Sequence, residues 1–188
     1  MHISINEHAQ PLKILLFIRH AWSIAQDLKI PELSPPPAPG ESRIPDSPSR
    51  EEWEDRWKKE WNRTWVWYDT RAPQMAPVSQ EEMQKLSRPG QELHPVVPPF
   101  WPVEYGTTGF DQTAFGIWDK LTLPVVPDIG VRGSTQALID AWQDGLRTII
   151  VLPYQGYFAN RRNDTHLVIS AETRRSPELF TQALRSWQ

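Results

Sequence analysis

The chain has 188 residues, a net charge of −3 and no cysteine. That excludes disulfides, thiolate metal sites and a cysteine nucleophile, and it removes the global positive field from which most nucleic-acid affinity comes. The 39% hydrophobic and 11% aromatic content is enough for a packed core, and a chain of this length suits one domain, 1–188, that buries roughly 70% of its unfolded surface.

The chain begins His2-Ile3-Ser4-Ile5 and, after a polar break, continues with an apolar run from Pro11. The run fits a buried strand by its β-branched content. It also fits a helix, by the proline at a first-turn position and by apolar residues at 14, 15, 18, 21, 22 and 25. The stretch 14–18 is too short for a signal-peptide core or a membrane span, so no membrane association is expected and the cytoplasm is the expected location.

Residues 31–49 carry Ser34-Pro35-Pro36-Pro37-Ala38-Pro39-Gly40 and, beyond it, Pro45 and Pro48, which makes an extended, proline-rich arm or linker. Ser49-Arg50-Glu51-Glu52 is a capping box that opens a helix to about residue 68. On a helical wheel its Trp53, Trp57, Trp61, Trp65, Trp67 and Tyr68 fall within about 160°, and Glu60 lies inside that arc. Glu52 with Arg56, Glu54 with Lys58 and Asp55 with Lys59 are acid-before-base pairs four residues apart.

Ser79-Gln80-Glu81-Glu82 reads as a second capping box before Pro89-Gly90. The segment 88–104, with five prolines from Pro89 to Pro102, reads as extended. Asp111 and Ser134 are placed to cap helices carrying Phe115 with Trp118, and Leu138, Ala141 with Trp142. Residues 148–152 and 166–171 read as strands, joined by an aromatic and basic loop over 154–164. Ser176-Pro177 opens a last helix to about Trp187. The fold class expected is α+β, with a small antiparallel sheet, four to five helices and proline-rich extended arms.

Two sets of residues carry functional readings. Ile18-Arg19-His20-Ala21-Trp22-Ser23 resembles the phosphate-binding start of the histidine phosphatases, which implies a nucleophilic His20 and a phosphate-holding Arg19. The likeness covers six residues. It departs from that pattern at Ala21, where glycine is usual, and at Gln26, where asparagine is usual, and the chain lacks the matching second arginine and histidine-glycine. Glu60, if buried, would join Arg19 and His20 as an acid–base group; at the edge of the helix face it would simply reach water.

The other set suits protein contact. The tryptophan helix is either a core element or, through Trp57 and Trp61, a binding surface, since tryptophan is enriched at binding hot spots. Arg161 and Arg162, with Arg174-Arg175 beyond the second strand, form a candidate basic patch for an acidic partner. Arg132-Gly133-Ser134-Thr135 is an anion-site candidate that also reads as a plain N-cap. The five histidines are too scattered for a metal-ligand set, so no metal and no cofactor is expected.

The reading favoured is a non-enzymatic protein that binds another protein in an accessory, immunity or assembly role. The alternative is a hydrolase or phosphotransfer enzyme using Arg19 and His20. An enzyme would gather these two and another titratable group in one concave pocket, whereas an interaction protein would expose contiguous aromatic surface.

Overall fold

The computed structural model describes residues 2–71, 98–123 and 134–187. Among them are seven helices and four strands: β1 (Ser4–Asn6), α1 (Gln10–Trp22), α2 (Arg50–Arg71), α3 (Phe100–Tyr105), α4 (Gln112–Leu121), α5 (Thr135–Gln143), β2 (Thr148–Leu152), β3 (Ala159–Arg161), β4 (His166–Ser170), α6 (Ala171–Arg175) and α7 (Pro177–Arg185). The class is α+β. The expected helix at 79–89, the extended reading of 88–97 and the anion-site residues Arg132 and Gly133 lie outside the described residues.

The sheet is mixed, in the order β1-β2-β4-β3. Here the structure corrects the expected antiparallel sheet. β2 and β4 run parallel, with Thr148 opposite His166 and Leu152 opposite Ser170; only β3 is antiparallel, against β4. The loop 154–164 supplies the reason. It reverses direction twice, first to make β3 on the outer edge and again before His166, so β4 re-enters beside β2 in the same sense. Both central strands are buried at all five positions, the signature of a parallel pair covered on both faces.

Alternation then divides the core. Ile150, Leu152 and Val168 face a cluster built from α1, α2, Trp101, Phe115 and Trp118. Ile149, Val151, Leu167 and Ile169 face Ala137, Ala141, Phe180, Ala183, Leu184 and Trp187. The sheet thus lies between two helical layers.

The ambiguous run at residues 12–22 is helical. Pro11 sits in its first turn, and Leu12 through Ile18 are all buried, so this helix is enclosed on every side and shows little amphipathic contrast. It ends at Ser23, in the left-handed region (φ 52°), whose N–H returns to the carbonyls of Arg19 and His20. Arg50, the first residue of α2, donates to the Trp22 and Ser23 carbonyls at 3.1 and 2.6 Å, so the start of α2 closes the end of α1. The capping readings at α2, α4 and α7 are matched by hydrogen bonds: Glu52 N to Ser49 Oγ, Thr113 N and Ala114 N to Asp111 Oδ1, and Leu179 N to Ser176 Oγ.

Residues 100–104, expected as extended, form most of α3 instead. Pro99 is its N-cap and Pro102 falls in its first turn, where a missing N–H deprives no acceptor. Trp101 then packs against Trp22 at 5.7 Å and Tyr105 at 4.9 Å.

Candidate functional site

The cleft that matters is at the end of α1. After Ser23 the chain turns through Ala25, also at positive φ (51°), and residues 32–34 run beside the exit of β2. Ser34 N donates to Pro153 O and Gln155 N to Glu32 O, both at 2.8 Å, around a Leu33–Tyr154 bridge. Trp118 Nε1 donates to Pro35 O at 2.8 Å. The proline-rich segment thereby becomes a wall, and between it and the last turn of α1 opens a cleft of about 760 Å³ whose lining includes Arg19, His20, Ser23, Gln26, Glu32 and Gln155.

Arg19 and His20 therefore share one concavity. Arg19 is half-buried, and its Nε and Nη2 donate to the carbonyls of Ala25 (3.2 Å) and Leu28 (3.4 Å). The guanidinium thus ties down the turn that follows its own helix. Burial lowers its pKa, with Tyr154 and Asp27 opposing. His20 is exposed; partial burial of its ring and, second, the Arg19 charge hold its pKa below the ordinary imidazole value. At neutral pH it is a neutral hydrogen-bonding group. The negative end of the α1 dipole lies at this end of the cleft and disfavours an anion there.

Glu60 is not among the residues lining this cleft. It was expected at the edge of the tryptophan face, reaching water, but it is fully buried, with its Oε2 3.4 Å from Arg63 Nη1. Residues on one face of α2 are carried under α3, and what is an edge on a wheel becomes an interior. Its pKa is raised by burial, opposed by Arg63 and reinforced by Glu104.

Trp57 and Trp61 are core. They are 0% and 9% exposed, stacked on each other at 5.3 Å and 15°, and Trp57 Nε1 donates to Leu15 O at 2.7 Å. Of the two readings of this helix the structure takes the interior one, because α1 offers an apolar surface and a free carbonyl lone pair at the right place.

The basic patch is also claimed internally. Arg162 makes a two-bond contact to Asp69 (3.2 and 2.9 Å) and lies over Trp65 at 4.8 Å. Arg161 pairs with Asp164 at 3.1 Å and stacks on Trp187 at 4.5 Å; Arg174 is buried against Glu7 at 3.0 Å. Their charge is largely matched before any partner arrives.

A larger hollow of about 940 Å³ lies at the start of α4, lined by Glu41, Arg43, Gly109 and Asp111 among others. The Asp111 carboxylate there is spent on the N–H groups of Thr113, Ala114 and Glu41, which makes it a cap. At the turn that precedes α4, Trp22 Nε1 donates to Gly109 O at 2.8 Å. Among the described residues no group of three or more His, Asp or Glu is placed to hold a metal ion, and no helix is long and apolar enough to cross a membrane.

Glu32, Ser34 and Gln155 were missed by sequence reasoning. Glu32 and Ser34 precede the proline run and Gln155 follows β2; only pairing between two distant segments brings them together, and no local signal announces that. Comparison of the chain with protein-family models, with curated proteins and with solved structures found no match. The class defined by the fold and the site is therefore an α+β protein with a mixed four-stranded sheet and a polar cleft at the end of its first helix.

Proposed function

We propose that the chain acts by binding another protein, and that the cleft beside His20 and Gln155 is the contact. The observation that carries this reading is the division of labour between neighbours. Arg19, the residue a phosphate would need, is engaged by the carbonyls of Ala25 and Leu28, while His20, Gln26, Glu32 and Gln155 stand exposed around the cleft. Neutral amides, an uncharged imidazole and one carboxylate suit the backbone and polar side chains of a polypeptide better than a compact anion.

The test is affinity capture from the native lysate with wild type beside a His20→Ala, Gln155→Ala variant, followed by calorimetry with the purified captured protein. Both positions are exposed, so circular dichroism should show an intact fold. The double variant should bind about 10- to 100-fold more weakly. Equal binding by both proteins would remove the cleft as the contact.

A second reading keeps the same cleft but makes it hydrolytic or phosphotransferring, and it is favoured by one observation: Arg19, His20 and the titratable Glu32 do line one concavity. Steady hydrolysis of p-nitrophenyl phosphate by wild type that disappears in His20→Ala would establish it. Equal background rates in the two proteins would dismiss it.

A further inference from the structure

We propose that Glu60 serves as a proton-operated latch between α2 and α3. The argument begins with solvation. The side chain is 0% exposed, and Oε1 has no hydrogen-bond partner. A buried carboxylate whose donors are one long Arg63 contact to Oε2 and the neighbouring Tyr105 hydroxyl has lost its water and regained little, whereas the neutral acid loses far less.

The charges around it settle which form is favoured. From α2, Arg63 offers Nη1 at 3.4 Å, but the same nitrogen lies 2.7 Å from Glu104 Oε1, and the guanidinium rests 4.1 Å over the ring of Phe100. Arg63 is thus drawn towards α3 and already matched by one carboxylate. Glu104 then acts on Glu60 as a second negative charge, and Lys59, exposed on the same helix, opposes it only at a distance. Tyr105 is the other titratable group on α3; burial pushes its own pKa up, and the neighbouring Glu60 and Glu104 add to that. Arg56, from α2, lies over the Tyr105 ring at 5.3 Å.

The mechanical consequence follows from where these contacts lie. Glu104 and Tyr105 are the last two residues of α3, and their attachments to Arg63, Arg56 and Trp53 join α3 to α2. A proton on Glu60 removes one of the carboxylates that share Arg63, and the seam is closed. Loss of the proton puts an unsolvated charge beside Glu104, divides Arg63 between two carboxylates and loosens the end of α3. The seam closes as pH falls and opens as pH rises. This inference is independent of the cleft.

Infrared spectroscopy on protein carrying carbon-13-labelled glutamate tests it directly. At pH values where ordinary glutamates have ionised, wild type should still show a protonated-carboxyl carbonyl band that is lost in Glu60→Gln, and hydrogen exchange at α3 amides, corrected for intrinsic rates, should accelerate as that band titrates away. Glu104→Gln removes the competing charge and releases Arg63, so the band should persist with its midpoint shifted downward. That second variant also decides the matter should Glu60→Gln fail to fold. A carboxyl band that titrates no higher than that of ordinary glutamates, or a midpoint that stays or rises in Glu104→Gln, would overturn the proposal.

Discussion

The indole of Trp57 meets two demands at once. It fills the space between α2 and α1, and its N–H reaches the Leu15 carbonyl 2.7 Å away inside the core. Trp118 and Trp187 do the same with Pro35 O and Asp144 O, so several tryptophans act as long-range fasteners as well as filler. Truncation therefore removes two contributions. Trp57→Ala should cost about 4 kcal/mol, from lost burial and a cavity, while Trp57→Phe keeps most of the ring and should cost about 1–2 kcal/mol through the lost hydrogen bond. Urea unfolding of the two variants separates them; equal losses would mean that the N–H contributes nothing.

Between elements, α1 meets α4 through an ion pair as well as through Phe17 packed on Phe115 and Trp118. Lys13 is 1% exposed and its ammonium lies 3.0 Å from Asp119 Oδ1, itself 22% exposed. A lysine on the second turn of an otherwise apolar helix reads as an interruption in the sequence, and only the arrival of α4 gives it a partner. Taking two charges out of water offsets much of their attraction. The expected outcome is asymmetric: Asp119→Ala leaves an unpaired buried cation and costs about 3–5 kcal/mol, whereas Lys13→Met, of similar volume, costs little or stabilises. Thermal unfolding of the two single variants checks this, and similar losses would show that the pair is net stabilising.

The same scale shows how much of the architecture was legible. The capping residues Ser49, Asp111 and Ser176 and the strands at β2 and β4 follow from signals within a few residues, and the structure has each. The direction of β4 does not, although the unbroken apolar content of β2 and β4, in place of alternation, was a readable sign of a parallel pair. β1 and β3, three residues each, are too short to carry a periodic pattern and exist because β2 and β4 offer edges to pair with. α3 was hidden by its prolines, which are harmless at a helix start. Of the candidate site, Arg19 and His20 were visible as residues, but the wall that turns them into a cleft came from a segment over a dozen residues downstream and from Gln155, far beyond.

For the whole molecule, buried titratable groups decide how stability depends on pH. His166 is fully buried; Asn163 Oδ1 lies 3.0 Å from its Nδ1, and Asn163 Nδ2 donates to Asp69 at 3.0 Å. That chain orients the amide and makes Nδ1 the donor. Burial holds the imidazole pKa below 6.5, with Asp69 opposing. The unfolded chain then takes up the proton first as pH falls, so the contribution of neutral His166 is complete above about pH 6.5 and declines below it. Urea midpoints measured from about pH 7.5 to 5 should fall more steeply for wild type than for His166→Gln. Parallel profiles would show that His166 titrates alike in both states. Glu60 has the opposite sign: its pKa is raised above 4.5, so its contribution is complete below that value and erodes as pH rises.

The chain by itself determined what short-range physics determines: where α2, α4 and α7 start and that β2 and β4 are buried strands. Tertiary structure alone decided the sense of the strands, the fate of Glu60, the internal pairing of Arg161 and Arg162 and the existence of the cleft. The reason is physical. Propensity, capping and periodicity act within one or two turns of chain, whereas burial, dielectric environment and ion pairing depend on which distant segment arrives, and no residue carries that information locally.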